Sequence, residues 1–347
     1  MNIRPSRTGS RRRAGVGVAL VAAAALALSA CGGDATGNED AVGDDGEVDL
    51  SQVTLTVGDQ KGTSVQALLR ASGLEDTPYE IEFKEFTSGP PMLEALNAGS
   101  IHVGMVGNTP PIFAAAAKGT FKMAAAASYT GMGDAILVPK DSPITSVEQL
   151  KGKKVAVAEG SSANYNLLAQ LEHAGLSYDD IQVQNLQPAD ALAAFSAGHV
   201  DAWTVWEPYT SQAEVEAGGR IIANGEDLVN GLNFQVVSDD AVNDPATSAA
   251  LEDYLNRITR AQLWTSENRE EWSKVWADQT GLSPEITLSA ANRRPVTPVE
   301  IDQSVIDSEQ EMADTFTANG LIPEEVDVSG YFTDKYNEFT TGAAVED

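Results

Sequence analysis

Two stretches of this chain repeat each other. LEALNAGSIHVGMVGNTP begins at Leu93, and LAAFSAGHVDAWTVWEP begins at Leu192, 99 residues later. In both, a helix closes at an Ala-Gly cap, a short strand follows, and the chain turns into a second helix with proline in its first turn. A unit of this kind buries its strand only among neighbouring strands with helices packed over them. Two copies in one chain predict two similar α/β lobes; chance likeness between two βα units is the alternative. The 347 residues, 42% of them hydrophobic, suffice for two separate cores.

The remainder of the chain follows the same rhythm. Strands are predicted at Thr54–Val57, Glu80–Phe86, Ile101–Met105, Lys122–Ala127, Ala135–Val138, Lys154–Ala158, Ile181–Asn185, Ala202–Val205, Arg220–Ile222 and Gln235–Val237, with helices between most of them. That alternation predicts an α/β class with largely parallel sheets. After Pro245 the pattern is helical only: Thr247–Thr265, Glu267–Gln279, Pro284–Ala291 and Val299–Asn319. Ligands of such sheets bind at the carboxyl ends of strands, so those ends carry the functional reading.

At three of these ends a helix starts on small neutral residues: Thr87-Ser88-Gly89-Pro90-Pro91, Gly107-Asn108-Thr109-Pro110 and Glu159-Gly160-Ser161-Ser162-Ala163-Asn164. Ser, Asn and Thr cap helices, and proline fits a first turn whose N–H groups lack intrahelical acceptors. Each start presents backbone donors and the positive end of a helix dipole, so converging starts make an anion site. The same residues also serve helices that are merely well capped. In the second repeat, Trp206-Glu207-Pro208 puts a carboxylate at the helix start, where it satisfies the dipole itself and repels an anion. Trp206 is therefore read as a cleft wall against an apolar ligand tail and Trp203 as sheet packing, with both indoles in the core as the alternative.

Other chemistry finds little support. His102, His173 and His199 have no metal-ligand spacing, and no GxSxG, CxxC, HExxH or P-loop pattern occurs, so neither catalysis, a metal nor a cofactor is expected. Arg4, Arg7, Arg11, Arg12 and Arg13 precede an uncharged apolar run from Ala14 to Ala30, which reads as a signal peptide over residues 1–30. Leu28-Ser29-Ala30-Cys31 resembles the bacterial lipobox, making Cys31, the single cysteine, the expected site of lipidation and membrane attachment. Export by the general or the twin-arginine route is left open. Residues 31–51, rich in Gly and acids, are expected to be a disordered acidic tether. Removing the five arginines of residues 1–30 takes the net charge from −29 to −34, which opposes nucleic-acid binding.

The block Val57-Gly58-Asp59-Gln60-Lys61-Gly62, the run Ser88-Gly89-Pro90-Pro91-Met92-Leu93-Glu94-Ala95-Leu96-Asn97-Ala98-Gly99-Ser100-Ile101 and Gly107-Asn108-Thr109-Pro110-Pro111-Ile112 resemble the aliphatic-sulfonate binding proteins of ABC importers. Leu150-Lys151-Gly152-Lys153-Lys154-Val155-Ala156, Gly160-Ser161-Ser162, Trp206-Glu207-Pro208 and Arg293-Arg294-Pro295 extend the likeness over most of the chain. The resemblance implies a two-lobe type II periplasmic-binding-protein fold with a ligand cleft between the lobes. It places lobe I at residues 52–136 plus 235–347 and lobe II at 137–234, with crossings near Ile136–Pro139 and Asn233–Val236. It further implies a monomeric, membrane-anchored extracytoplasmic receptor that binds a small organosulfonate and serves an ABC permease in sulfur acquisition. Taurine, nitrate or a thiamine-precursor-like molecule is the alternative ligand on the same fold. Gln60, Lys61 and Arg294 enter as ligand residues through the resemblance, joining Ser88, Gly89, Asn108, Thr109, Ser161, Ser162 and Trp206. Two departures stand out: Asn108, which favours an anion where some sulfonate binders carry an acid, and Gln187 before Pro188, which suggests a different reading of the organic tail.

Overall fold

In the computed structural model residue 38 and residues 41–341 are described; the predicted leader and Cys31 lie outside them. The first half of the chain runs β1 (Thr54–Gln60), α1 (Val65–Ala71), β2 (Glu80–Phe86), α2 (Gly89–Asn97), β3 (Val103–Gly107), α3 (Thr109–Ala116), β4 (Phe121–Tyr129) and β5 (Ala135–Pro139). It continues with β6 (Lys154–Val157), α4 (Ser162–His173), β7 (Gln182–Asn185), α5 (Pro188–Ser196), β8 (Ala202–Val205), α6 (Tyr209–Ala217), β9 (Gly219–Asn224) and β10 (Leu232–Ser238). The C-terminal part is α7 (Asp239–Asn243), α8 (Pro245–Glu267), α9 (Arg269–Thr280), α10 (Pro284–Arg293), β11 (Val296–Val299), α11 (Gln303–Ala318) and α12 (Asn337–Thr340).

These strands form two sheets, one ordered β11-β4-β10-β3-β1-β2 and the other β7-β6-β8-β5-β9. The repeat seen in the sequence is a repeat of topology. In the first sheet β1 lies parallel to β2 and β3, while β10 runs antiparallel to β3 and β4. In the second, β6 lies parallel to β7 and β8, while β5 runs antiparallel to β8 and β9. In both units the Ala-Gly cap is formed as read: Gly99 and Gly198 take φ of 69° and 70°, the left-handed region in which glycine meets no Cβ clash.

The sheets are mixed, where largely parallel ones are expected. The reason is that each lobe takes one strand, β5 or β10, from the chain as it arrives from the other lobe, and that strand enters antiparallel. The crossings are residues 130–134 and 225–231, because β5 and β10 lie wholly inside their sheets. Each falls ahead of the expected position near Ile136–Pro139 or Asn233–Val236, and the lobe boundaries shift with them. Another correction is β11, in a region read as helix only: Val299 ends this edge strand, and the following helix begins beyond its cap, Asp302. Pro298 is tolerated there because an edge strand leaves one side of its backbone unpaired.

Each lobe buries its own apolar set. Ile136, Leu137, Val155, Leu167, Phe195 and Trp203 fill the five-stranded lobe. Val57, Leu69, Val103, Leu251, Tyr254 and Ile258 pack one face of the six-stranded sheet, and Met92, Leu96, Val106, Phe121 and Phe234 the other. The fully buried strand β10 lies between β4 and β3, as its run of apolar and carboxamide side chains requires. Part of the expected tether is ordered: Val42 bridges Val48, Ala41 is buried against the core, and Asn38 Nδ2 donates to Thr247 Oγ1 at 2.8 Å. Within it, Gly43 to Glu47 fold into a tight turn, with Gly46 N bonded to Gly43 O and Gly43 N to Glu47 O at 2.9 Å.

Candidate functional site

The carboxyl ends of β1, β3, β6 and β8 converge on a small chamber between the lobes. Its walls are Gln60, Gly62, Thr63, Gly89, Gly107 and Pro110 on the six-stranded side, Ser161, Ser162 and Trp206 on the five-stranded side, and Arg294 just beyond α10. Six of the ten sequence-predicted ligand residues meet here: Gln60, Gly89, Ser161, Ser162, Trp206 and Arg294. Lys61, Ser88, Asn108 and Thr109 do not line it.

The β1–α1 loop is shaped by a residue that motif reading passed over. Asp59, 1% exposed, accepts from the backbone N–H groups of Gln60, Val65 and Gln66 at 2.7, 2.8 and 3.0 Å, so one carboxyl caps α1 and folds the loop that carries Gln60 to Ser64. Burial pushes its pKa up to about 6 against the lowering effect of those N–H groups. Gln60 is held in turn by Nε2 donating to Met105 O at 3.0 Å. Two glycines then let the lobes touch. A Cβ on Gly62 would sit 2.8 Å from Trp206 Nε1, and one on Gly107 would sit 3.2 Å from Ser162 Cβ, so side chains at either position would hold the lobes apart.

The neutral capping side chains are committed elsewhere, which changes how the site works. Ser88 Oγ donates to Gln187 Oε1 at 2.8 Å, Asn108 Nδ2 to Asn230 Oδ1 at 2.7 Å, and Thr109 Oγ1 to Asn108 Oδ1 at 3.0 Å. Ser161 Oγ donates to Ala158 O at 2.6 Å and Ser162 Oγ to Asp134 Oδ1 at 2.7 Å. Each of the five donor groups expected for an anion makes a hydrogen bond within the protein. What the helix starts still offer is backbone: the N–H groups of Gly89 and Ser162, which border the chamber, have no intrahelical acceptor, whereas Pro90 and Pro91 carry no N–H and Asn164 N–H is taken by the Ser161 cap. Lys61 instead reaches over the Tyr209 ring of the opposite lobe, its Nζ 5.5 Å from the centroid, and burial lowers its pKa. Gln187, expected to read a ligand tail, accepts from Thr87 and Ser88 across the lobes.

The strongest donor is Arg294. Its guanidinium lies 4.0 Å over the Tyr129 ring, makes no ion pair among the described residues, and keeps a buried Nε with no hydrogen-bond partner. Its chain neighbour points elsewhere: Arg293 pairs with Glu207 at 2.7 Å and Glu214 at 2.8 Å. Glu207 also accepts from Ser211 N at 3.1 Å, so the carboxylate does satisfy its own helix start. Burial raises the pKa of Glu207, opposed chiefly by the charge of Arg293. Asp134, in the first crossing, is likewise raised by burial and pulled down by the charge of Arg294 and the hydrogen bond from Ser162. Trp206 is 7% exposed and meets Tyr209 edge to face at 5.8 Å, so it is both core and wall. Gly62, Thr63, Gly107 and Pro110 are new to the site; the signal available in the sequence was their position beside Lys61 and Asn108 in the two predicted turns.

Residues 48–277 match the model of the NMT1-like family. The chain is similar to the periplasmic aliphatic sulphonate binding protein SsuA from Escherichia coli, with 36% identity, TM-score 0.71, and coverage of 80% of this chain and 91% of that one. It is also similar to the alkanesulfonate-binding protein SsuA from Xanthomonas axonopodis pv. citri, solved bound to MOPS, with 35% identity, TM-score 0.75, and coverage of 81% and 98%. The desulfurization enzyme DSZB, 17% identical at TM-score 0.57 over 83% of this chain and 98% of that one, shares the fold alone.

Proposed function

The chain belongs to the NMT1-like family, and from that membership we propose that it is an extracytoplasmic receptor that captures aliphatic sulfonates between its lobes and delivers them to an ABC importer for sulfur acquisition. Similarity to two sulfonate-binding proteins at 35–36% identity supports the ligand class. The observation that carries the reading is Arg294, a guanidinium with no ion pair among the described residues, which lines the chamber together with Ser161 and Ser162 at the start of α4. A sulfonate is anionic at any physiological pH and has three acceptor oxygens, so it matches the guanidinium fork and the backbone N–H groups. The excess of 51 acidic over 22 basic side chains does not forbid this, because surface charge is screened over about 8 Å at physiological ionic strength.

At about 20 Å3 the chamber has room for roughly one water, so the ligand enters as the lobes part about residues 130–134 and 225–231. The receptor acts by binding rather than by catalysis, works as a monomer, and is held at the membrane through lipidated Cys31. The test is a thermal-shift panel on the purified chain with alkanesulfonates of increasing length, taurine, nitrate, sulfate and thiamine precursors. A ligand at a hundred times its Kd stabilises by about 2.7 kcal/mol. Shifts confined to sulfonates support the reading; a shift with nitrate, sulfate or a thiamine precursor and none with sulfonates overturns it. Retention of a Cys31→Ser protein in the membrane fraction would remove the lipid anchor.

A further inference from the structure

Arg294 borders two chambers. Behind the loop of Gly62 and Thr63, which with Arg294 forms the partition, lies a second space of about 70 Å3. Leu68 and Met105 line it together with Trp272 and Trp276, whose rings stack at 5.2 Å with 14° between planes. Trp276 is fixed in place by Nε1 donating to Lys61 O at 3.0 Å, so this wall is tied to the loop of the first chamber. Arg269 completes the lining, at the start of α9.

Arg269 repeats the condition of Arg294: each keeps a buried Nε with no partner, and neither makes an ion pair among the described residues. A buried N–H left unpaired is costly, and two such groups on one cavity point to acceptors that belong there. A third observation agrees. Gln235 lies beside Met105 in the β10–β3 pairing and on the same strand face as Asn233, which lines this chamber; both atoms of its carboxamide are buried without partners. By the same measure in which one water takes roughly 10–15 Å3, the space holds several heavy atoms, enough for a short spacer and its terminal group.

We propose that the ligand is bifunctional: its sulfonate pairs with Arg294 in the first chamber, and a short apolar spacer along the Trp272–Trp276 wall carries a carboxylate to Arg269 in the second. A carboxylate fits the size, and it takes the guanidinium fork bidentately. The inference rests on the sulfonate reading and narrows it from alkanesulfonates at large to short sulfonates that end in a second acceptor.

Calorimetric titration of the whole chain with sulfoacetate, 3-sulfopropanoate and 4-sulfobutanoate, each against the alkanesulfonate of matching length, decides it. The expected result is at least tenfold tighter binding for one of the carboxylates. In Arg269→Gln that advantage disappears while the plain alkanesulfonates keep their affinity within about twofold. Equal affinities in the wild-type chain overturn the second subsite and leave the sulfonate receptor standing, and they do so even where the variant fails to fold. A uniform loss for both ligand series in Arg269→Gln also removes the subsite, making Arg269 structural. Failure of every sulfonate to bind overturns the receptor reading and this inference with it.

Discussion

Asn108 and Glu207 hold equivalent places in the two repeats, each just ahead of the helix that follows the third parallel strand of its lobe, and each is essentially buried. Their chemistry divides the labour between the lobes. Glu207 is charged, takes Ser211 N at 3.1 Å and pairs across the lobes with Arg293. Asn108 is neutral and hydrogen-bonds Asn230 in the second crossing, which itself donates to Glu309 Oε1 at 2.8 Å. One copy thus clamps lobe to lobe with an ion pair, and the other ties its lobe to a crossing without adding a charge beside the chamber. Because Glu207 holds Arg293, only the next arginine, Arg294, borders the chamber outside that ion pair. A single carboxylate among two repeats thus separates the cation of the clamp from the one that lines the chamber.

The largest way to break this contrast is Glu207→Ala. It should lower unfolding free energy by about 3 kcal/mol, the low end for breaking a buried pair because Glu214 still holds Arg293; denaturant titration measures it. An undiminished midpoint would mean that the clamp is not stabilising. Next, Arg294→Ala should weaken sulfonate binding about a hundredfold by calorimetry, since hydrogen bonds to charged groups contribute about 1.5–3 kcal/mol, with unliganded stability little changed. If the variant binds normally, the binding cation lies elsewhere.

Glu309→Gln probes the neutral copy. Burial pushes the Glu309 pKa up to about 8, above its unfolded value near 4.5, so the folded chain binds the extra proton between those limits and stability falls as pH rises through them. The variant should gain on the wild type steadily from pH 5 to pH 8, since each pH unit between those limits takes up to about 1.4 kcal/mol from the wild type alone. Parallel stability curves across that range would place the Glu309 pKa near its ordinary value. The smallest effect is expected for Gln187→Ala, which removes the hydroxyl bonds from Thr87 and Ser88 across the lobes. Sulfonate affinity should fall about threefold, the lower range for a neutral hydrogen bond.

Local pattern made most of the fold legible. Every strand read from alternation is present, and both Ala-Gly caps adopt the geometry their composition requires. The omission, β11, carries Pro298, which breaks the strand pattern but is harmless on an edge. In the site, residues that act through backbone or position, such as Gly89 and the turn at Ser161, could be found because helix starts are written locally. The long-range hydroxyl partners could not. Ser162 meets Asp134 and Ser88 meets Gln187 only once distant segments are packed, and nothing near Ser162 or Ser88 announces a competing acceptor. Asp59 was quoted within a motif, yet its role in closing the β1–α1 loop depends on three backbone donors that only the folded turn supplies.

The placement of β10 between β4 and β3 also fixes an order of assembly. A nascent chain that has reached Asn224 already holds all five strands of the second sheet, from β5 to β9, and can complete that lobe from contiguous sequence. The other sheet then holds β1 to β4 but has no contact between β4 and β3 until β10 is inserted. Closing that gap brings together segments separated by more than a hundred residues, a slow step compared with local pairing. The lobe begun first in synthesis is therefore finished last, and the chamber between the lobes, lined by Arg294 from still later in the chain, closes only when both are done.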